Sequence, residues 1–128
     1  MTKISRKKLS EDKMGLLIDQ LWRGFASLKD KDEVHEFLHD LLSRTEIQML
    51  AKRLEVVRLL NEGWKYEEIK NRLNISEATI SKINNWKEAF GQGYQKVIER
   101  LKRESEKRKR KLPGFVKSSR SAAASIWS

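Results

Sequence analysis

Residues 64–86 read WKYEEIKNRLNISEATISKINNW, and their spacing predicts two short helices joined by a sharp turn. Ile69 and Leu73 stand four apart on the first helix, and Ile80 and Ile83 three apart on the second, so each has one inward face. Asn74-Ile75-Ser76 lies between them. Asn is among the few non-glycine residues that tolerate the left-handed backbone a tight corner needs. Ile75 is placed to plug that corner. Ser76 is a natural N-cap for the second helix, with Glu77 near the positive end of its dipole. A helix-turn-helix over 66–86 is therefore expected, with helix 77–86 shaped to enter a DNA major groove.

The outward residues of that second helix suit this role. Ser76, Glu77, Ala78, Thr79, Ser81, Lys82 and Asn85 are short or flexible polar groups and one methyl. Thr and Ala can meet a thymine methyl, Lys82 can reach guanine or phosphate, and Asn85 can pair with adenine. Glu77 would repel phosphates unless it serves the helix terminus or accepts from a cytosine amino group. Lys65, Lys70 and Lys87 at the edges are candidate phosphate contacts.

Outward from this segment, apolar periodicity predicts an all-α chain of about six helices. The first opens after Ser10 and carries a stripe of Met14, Leu17, Ile18, Leu21, Trp22, Phe25 and Leu28. A charged connection, Lys29 to Glu33, leads into a second helix from about Asp32 to Leu42. The third runs from about Thr45 to Glu62 and stops at Gly63. Its apolar residues cover more than one face, which calls for neighbours on two sides and hence a homodimer. A last helix is expected from about Phe90 to Lys111, interrupted or preceded by Gly91-Gln92-Gly93, and Pro113-Gly114 ends it.

With 128 residues, 36% charged, the chain has room for one domain over 10–111. A basic arm at 1–9 and a flexible Ser/Ala-rich tail at 112–128 flank it. The net charge of +10 is uneven. Residues 1–8 hold four basic and no acidic side chains, and residues 99–128 ten basic against three acidic, whereas 9–98 hold fourteen against fifteen. Lys3 to Lys8 and Lys107 to Lys111 thus offer salt-sensitive attraction to phosphates. The chain has no cysteine, in keeping with a reducing cytosol. The apolar run after residue 13 is broken by Asp19 and Arg23, so neither a signal peptide nor a membrane span is expected. The reading is cytoplasmic and nucleoid-associated, with no membrane partner.

His35-Glu36-Phe37-Leu38-His39 matches the zinc-protease pattern H-E-x-x-H. The extended form fails, because Leu42 and Thr45 stand where its glycine and third histidine belong. No third ligand is evident at a supporting spacing. No enzyme activity, metal or cofactor is expected.

The segments LLSRTEIQMLAKRLEVVRLLNEG (41–63) and YEEIKNRLNISEATIS (66–81) resemble the Trp repressor superfamily, and more closely its YerC/YecD-like branch. The similarity spans about Leu16 to Leu101. It implies an intertwined all-α homodimer whose helix-turn-helix pairs read double-stranded DNA, acting as a transcriptional regulator and by analogy a repressor. It also implies an effector pocket. In tryptophan-responsive members the indole lies between two arginines, which correspond here to Arg53 and Lys82. Lys82 lacks the planar face that stacks on an indole. Ile83 replaces a glycine and Trp86 a serine, so tryptophan is not the expected corepressor. Ser43 and Thr79 match polar positions of that pocket, leaving a different small-molecule effector open at Ser43, Arg53, Thr79 and Lys82. The alternative is a non-specific DNA- or RNA-associated or protein-interaction helical protein, in which the arms bind and the helix pair only packs.

Overall fold

The computed structural model describes residues 8–111, which form six α-helices. These are α1 (Glu11–Ala26), α2 (Lys31–Leu41), α3 (Arg44–Asn61), α4 (Tyr66–Leu73), α5 (Glu77–Phe90) and α6 (Gln92–Lys111). The all-α expectation holds. Most of the expected N-terminal arm and the whole 112–128 tail lie outside the described residues. Two compact units divide the chain, residues 1–48 and 49–128.

In the first unit each helix starts on a local side-chain signal. Ser10 Oγ accepts from the Lys13 backbone N–H at 3.3 Å, satisfying a donor that the first turn of α1 leaves without a partner. Asp30 does the same for α2, accepting from Glu33 N–H at 3.0 Å. Glu33 in turn accepts from Lys29 N–H at 2.8 Å. The charged connection expected through Glu33 is therefore shorter, and α2 starts at Lys31. Phe25 and Phe37 meet edge to face with ring centroids 5.4 Å apart, the arrangement the aromatic quadrupole favours. No residue of α1 or α2 is buried, and Leu16 and Trp22 are 72% and 61% exposed.

The second unit contains the core. Val56, Val57 and Leu59 of α3, Ile69 of α4, and Ile80 and Ile83 of α5 are buried together. Burying each such side chain contributes about 1.5–3 kcal/mol. Leu60, Trp64, Leu73, Ile75, Tyr94 and Ile98 pack around them.

The exit from α3 is set by Gly63. At φ 87° it lets its own N–H reach Leu60 O at 3.0 Å while Trp64 N–H reaches Leu59 O at 3.1 Å. This pair of bonds is a Schellman motif, and the accompanying apolar contact comes from Trp64 packing on the cluster that contains Leu59. Arg72 covers the Trp64 ring at 5.1 Å.

Between α5 and α6 stands a single residue, Gly91. A Cβ there would overlap the Lys87 carbonyl oxygen. Phe90 accordingly ends α5 rather than opening the last helix, and Gly93 lies inside α6.

Candidate nucleic-acid interface

The turn between α4 and α5 follows from three adjacent residues. Asn74 adopts the left-handed conformation (φ 57°, ψ 51°) and its N–H closes the end of α4 on Lys70 O at 2.9 Å. Ile75 is half-buried against the core, which fixes the corner. Ser76 Oγ accepts from Thr79 N–H at 3.2 Å and lies 2.8 Å from Thr79 Oγ1. At the start of α4, Glu68 Oε1 accepts from Lys65 N–H at 3.0 Å. Lys65 gives no reciprocal bond, because an ammonium only donates.

Two buried isoleucines, Ile80 and Ile83, hold one side of α5 against the core. Glu77, Ala78, Thr79, Lys82 and Asn85 are exposed, as are Ser76 just before the helix and Lys65 and Lys70 around α4. Ser81 and Lys87 are half-buried. The Lys87 ammonium lies 3.5 Å from Glu88 Oε1, so part of its charge is already answered. The Thr79 hydroxyl is engaged at the cap, which leaves its methyl as the group free for an outside contact.

A cavity of about 330 Å³ opens beside α5, lined by Arg53, Thr79, Lys82, Ile83, Trp86 and Tyr94. Three of the four residues expected in an effector pocket thus come together. Ser43 is not among them. Its hydroxyl accepts from Glu46 N–H at 3.2 Å, and Glu46 Oε1 accepts from Ser43 N–H at 2.8 Å, a reciprocal box at the start of α3. The Ser43 backbone N–H first, and the Ser43 hydroxyl second, hold the Glu46 carboxyl below its ordinary range. Tyr94 is the lining residue that sequence reading missed. It was visible only as part of an apolar stripe on the last helix, and its place in the cavity depends on the course the chain takes after Gly91. Trp86 is 59% exposed and meets Phe90 at a tilt of 40°, with ring centroids 4.7 Å apart.

His35 and His39 approach with ring centroids 4.3 Å apart. Among the described residues no group of three or more His, Cys, Asp or Glu side chains is arranged to hold a metal ion. Nor is any helix among them long and apolar enough to cross a membrane.

The sequence profile of the Trp repressor protein family matches residues 17–102. The chain belongs to the Trp repressor family. A curated member of similar sequence is YerC of Bacillus subtilis (strain 168), itself uncharacterized. It is 40% identical over 88 residues, covering 69% of this chain and 85% of YerC. Two solved structures share the family's fold. A TrpR-like protein from Eubacterium eligens ATCC 27750 superposes with a TM-score of 0.64 at 37% identity, covering 67% of this chain and 89% of its own. A chain from Staphylococcus aureus, provisionally described as a Trp repressor, gives 0.65 at 27% identity, covering 74% and 96%. At the level of the Trp repressor family, the chain is a TrpR-like regulator.

Proposed function

We propose that this Trp repressor family member is a sequence-specific, dimeric DNA-binding transcriptional regulator, a repressor in its action. One α5 from each subunit enters the major groove of a roughly palindromic operator. The observation that carries this reading is the α4–Asn74-Ile75-Ser76–α5 corner. It buries Ile69, Ile80 and Ile83 while leaving Ala78 and Thr79 exposed on a capped helix start, the part of a recognition helix that meets base edges, with Lys82 and Asn85 exposed one and two turns further on. Lys65, Lys70 and Lys87 contact phosphates, and Ser76, Glu77 and Ser81 complete the contacting face. In this reading residues 10–111 are the DNA-binding domain with the helix-turn-helix at 66–86, and the 1–9 arm and 112–128 tail add grip. The protein works in the cytoplasm, on the nucleoid.

Dimerisation is supported by apolar side chains that one chain leaves in water, Leu16, Trp22 and Met49 among them. The cavity at Arg53, Thr79 and Lys82 takes a small effector other than tryptophan, because Ile83 and Trp86 also line it and Lys82 offers a point charge without a stacking plane.

In vitro selection from random duplexes tests the reading. A selected site should be bound at least a hundredfold tighter than random duplex, and Thr79→Ala or Lys82→Ala should relax preference at one position. A specificity ratio near one would overturn it.

A further inference from the structure

The outer face of α6 carries an array that neither the core nor the cavity uses. Lys96, Arg100, Arg103, Lys107 and Arg110 follow one another at steps of four, three, four and three. At 100° per residue they fall within about 80° of one another on the helix. All five are exposed. Glu99, Glu104 and Glu106 fall outside this sector, and none of the ion pairs among the described residues involves α6. On the opposite side of the helix Tyr94 and Ile98 pack against the core. The core thus anchors the helix and turns the cations outward.

We propose that this stripe is a second duplex-DNA contact surface, a straight row of cations that tracks a phosphate backbone beside the site read by α5. It rests on the DNA-binding reading above. The fourteen steps from Lys96 to Arg110 span about 21 Å at 1.5 Å per residue, and five like charges on that length attract an anionic partner. Each strand of duplex DNA presents one negative charge per roughly 3.4 Å of axis, a row of anions that can answer a row of cations. A membrane fits poorly. Beyond Leu101 the side of α6 away from the stripe carries Lys102, Ser105, Glu106, Arg108 and Lys109, with no apolar groups to enter lipid. Arg103, Lys107 and Arg110 lie past residue 102, where the family match ends, so this surface adds to the shared fold.

The test is binding of the full chain to a random-sequence duplex by fluorescence anisotropy between 50 and 200 mM NaCl. The triple variant R100Q/R103Q/K107Q should bind at least tenfold more weakly at 100 mM, with a salt slope shallower by about 2–3, since each phosphate contact contributes about 0.9. The triple K29Q/K31Q/K52Q removes the same charge at exposed sites off α6 and should change the slope by less than one unit. R100K/R103K should keep the wild-type slope, and circular dichroism should show all three as helical as the parent. Equal weakening by the two Gln triples, or no change of slope in the first, overturns the stripe. Tighter binding to an RNA hairpin than to duplex, with the larger loss in the first triple, overturns DNA as its partner. If random duplex is bound through the stripe but selection yields no preferred sequence, the α5 reading fails and the stripe stands. If a preferred sequence emerges and the first triple leaves the slope intact, the stripe alone fails. Absence of any duplex binding overturns both.

Discussion

The hydroxyl oxygens of Ser76 and Thr79 lie 2.8 Å apart at the first turn of α5, and the same Ser76 oxygen accepts from the Thr79 backbone N–H. One serine therefore both starts the helix and orients an exposed threonine. Ser76→Ala should cost about 1 kcal/mol of stability, read as a fall in Tm of about 4–8 °C. Thr79→Ala keeps the backbone cap and should cost less, while removing the methyl and so altering base preference. Thermal denaturation followed by circular dichroism, alongside duplex competition, separates the two effects.

Gly91 and Gly93 are two residues apart and should respond oppositely to alanine. At Gly91 a Cβ meets the Lys87 carbonyl oxygen, part of a backbone that cannot yield like a flexible side chain. Gly91→Ala should destabilise by about 1–3 kcal/mol. Around Gly93 nothing lies within 4 Å, and the residue is helical. Gly93→Ala should stabilise by about 0.5–1 kcal/mol. Urea denaturation of both variants gives the sign of each.

Ile69 and Ile80 are fully buried between neighbouring helices, so truncating either to alanine should cost about 2–5 kcal/mol. Leu16 is 72% exposed in a single chain. Leu16→Glu should leave the second unit folded and shift the assembly toward monomer. Light scattering coupled to size-exclusion chromatography checks the mass, with hydrogen exchange reporting the amides of α4 and α5.

The Ser43–Glu46 box predicts a pH dependence. The bonds from Ser43 favour the ionised Glu46 carboxylate, so its folded pKa lies below the unfolded one. A depressed carboxylate pKa adds stability that is complete above the ordinary value near 4.5 and fades as pH falls through the lower folded value. Ser43→Ala removes the hydroxyl but keeps the backbone N–H that acts most strongly, so the Glu46 titration, followed by NMR, should return only part of the way toward that ordinary value. The substitution should also loosen the first turn of α3.

What could be read in advance was what neighbours in sequence decide. Ser10, Gly63, Asn74 and Ser76 announce helix ends because each acts on backbone groups within four residues of itself. The start of α2 was misplaced by one residue because Asp30, Asp32 and Glu33 all suit a first turn, and the bond from Glu33 N–H to Asp30 selects among them. The α5–α6 boundary stayed ambiguous because either Gly91 or Gly93 could break a helix, and only the crowding at the Lys87 carbonyl chooses between them. Tyr94 reached the cavity unannounced. Its position there depends on where the chain travels after Gly91, which no local periodicity encodes. The cations of α6 were visible as a charged run, but their alignment on one side required the helix to continue through Lys111.

The joint at Gly91 has a mechanical consequence. One residue supplies two soft torsions, so α5 and α6 behave less like independent rods than like the arms of a single crank. Arg53 of α3, Trp86 of α5 and Tyr94 of α6 stand on three sides of the same cavity. A ligand in that space would touch all three helices at once, so its binding is expected to couple the helix that carries Lys82 to the one that carries Lys96 to Arg110.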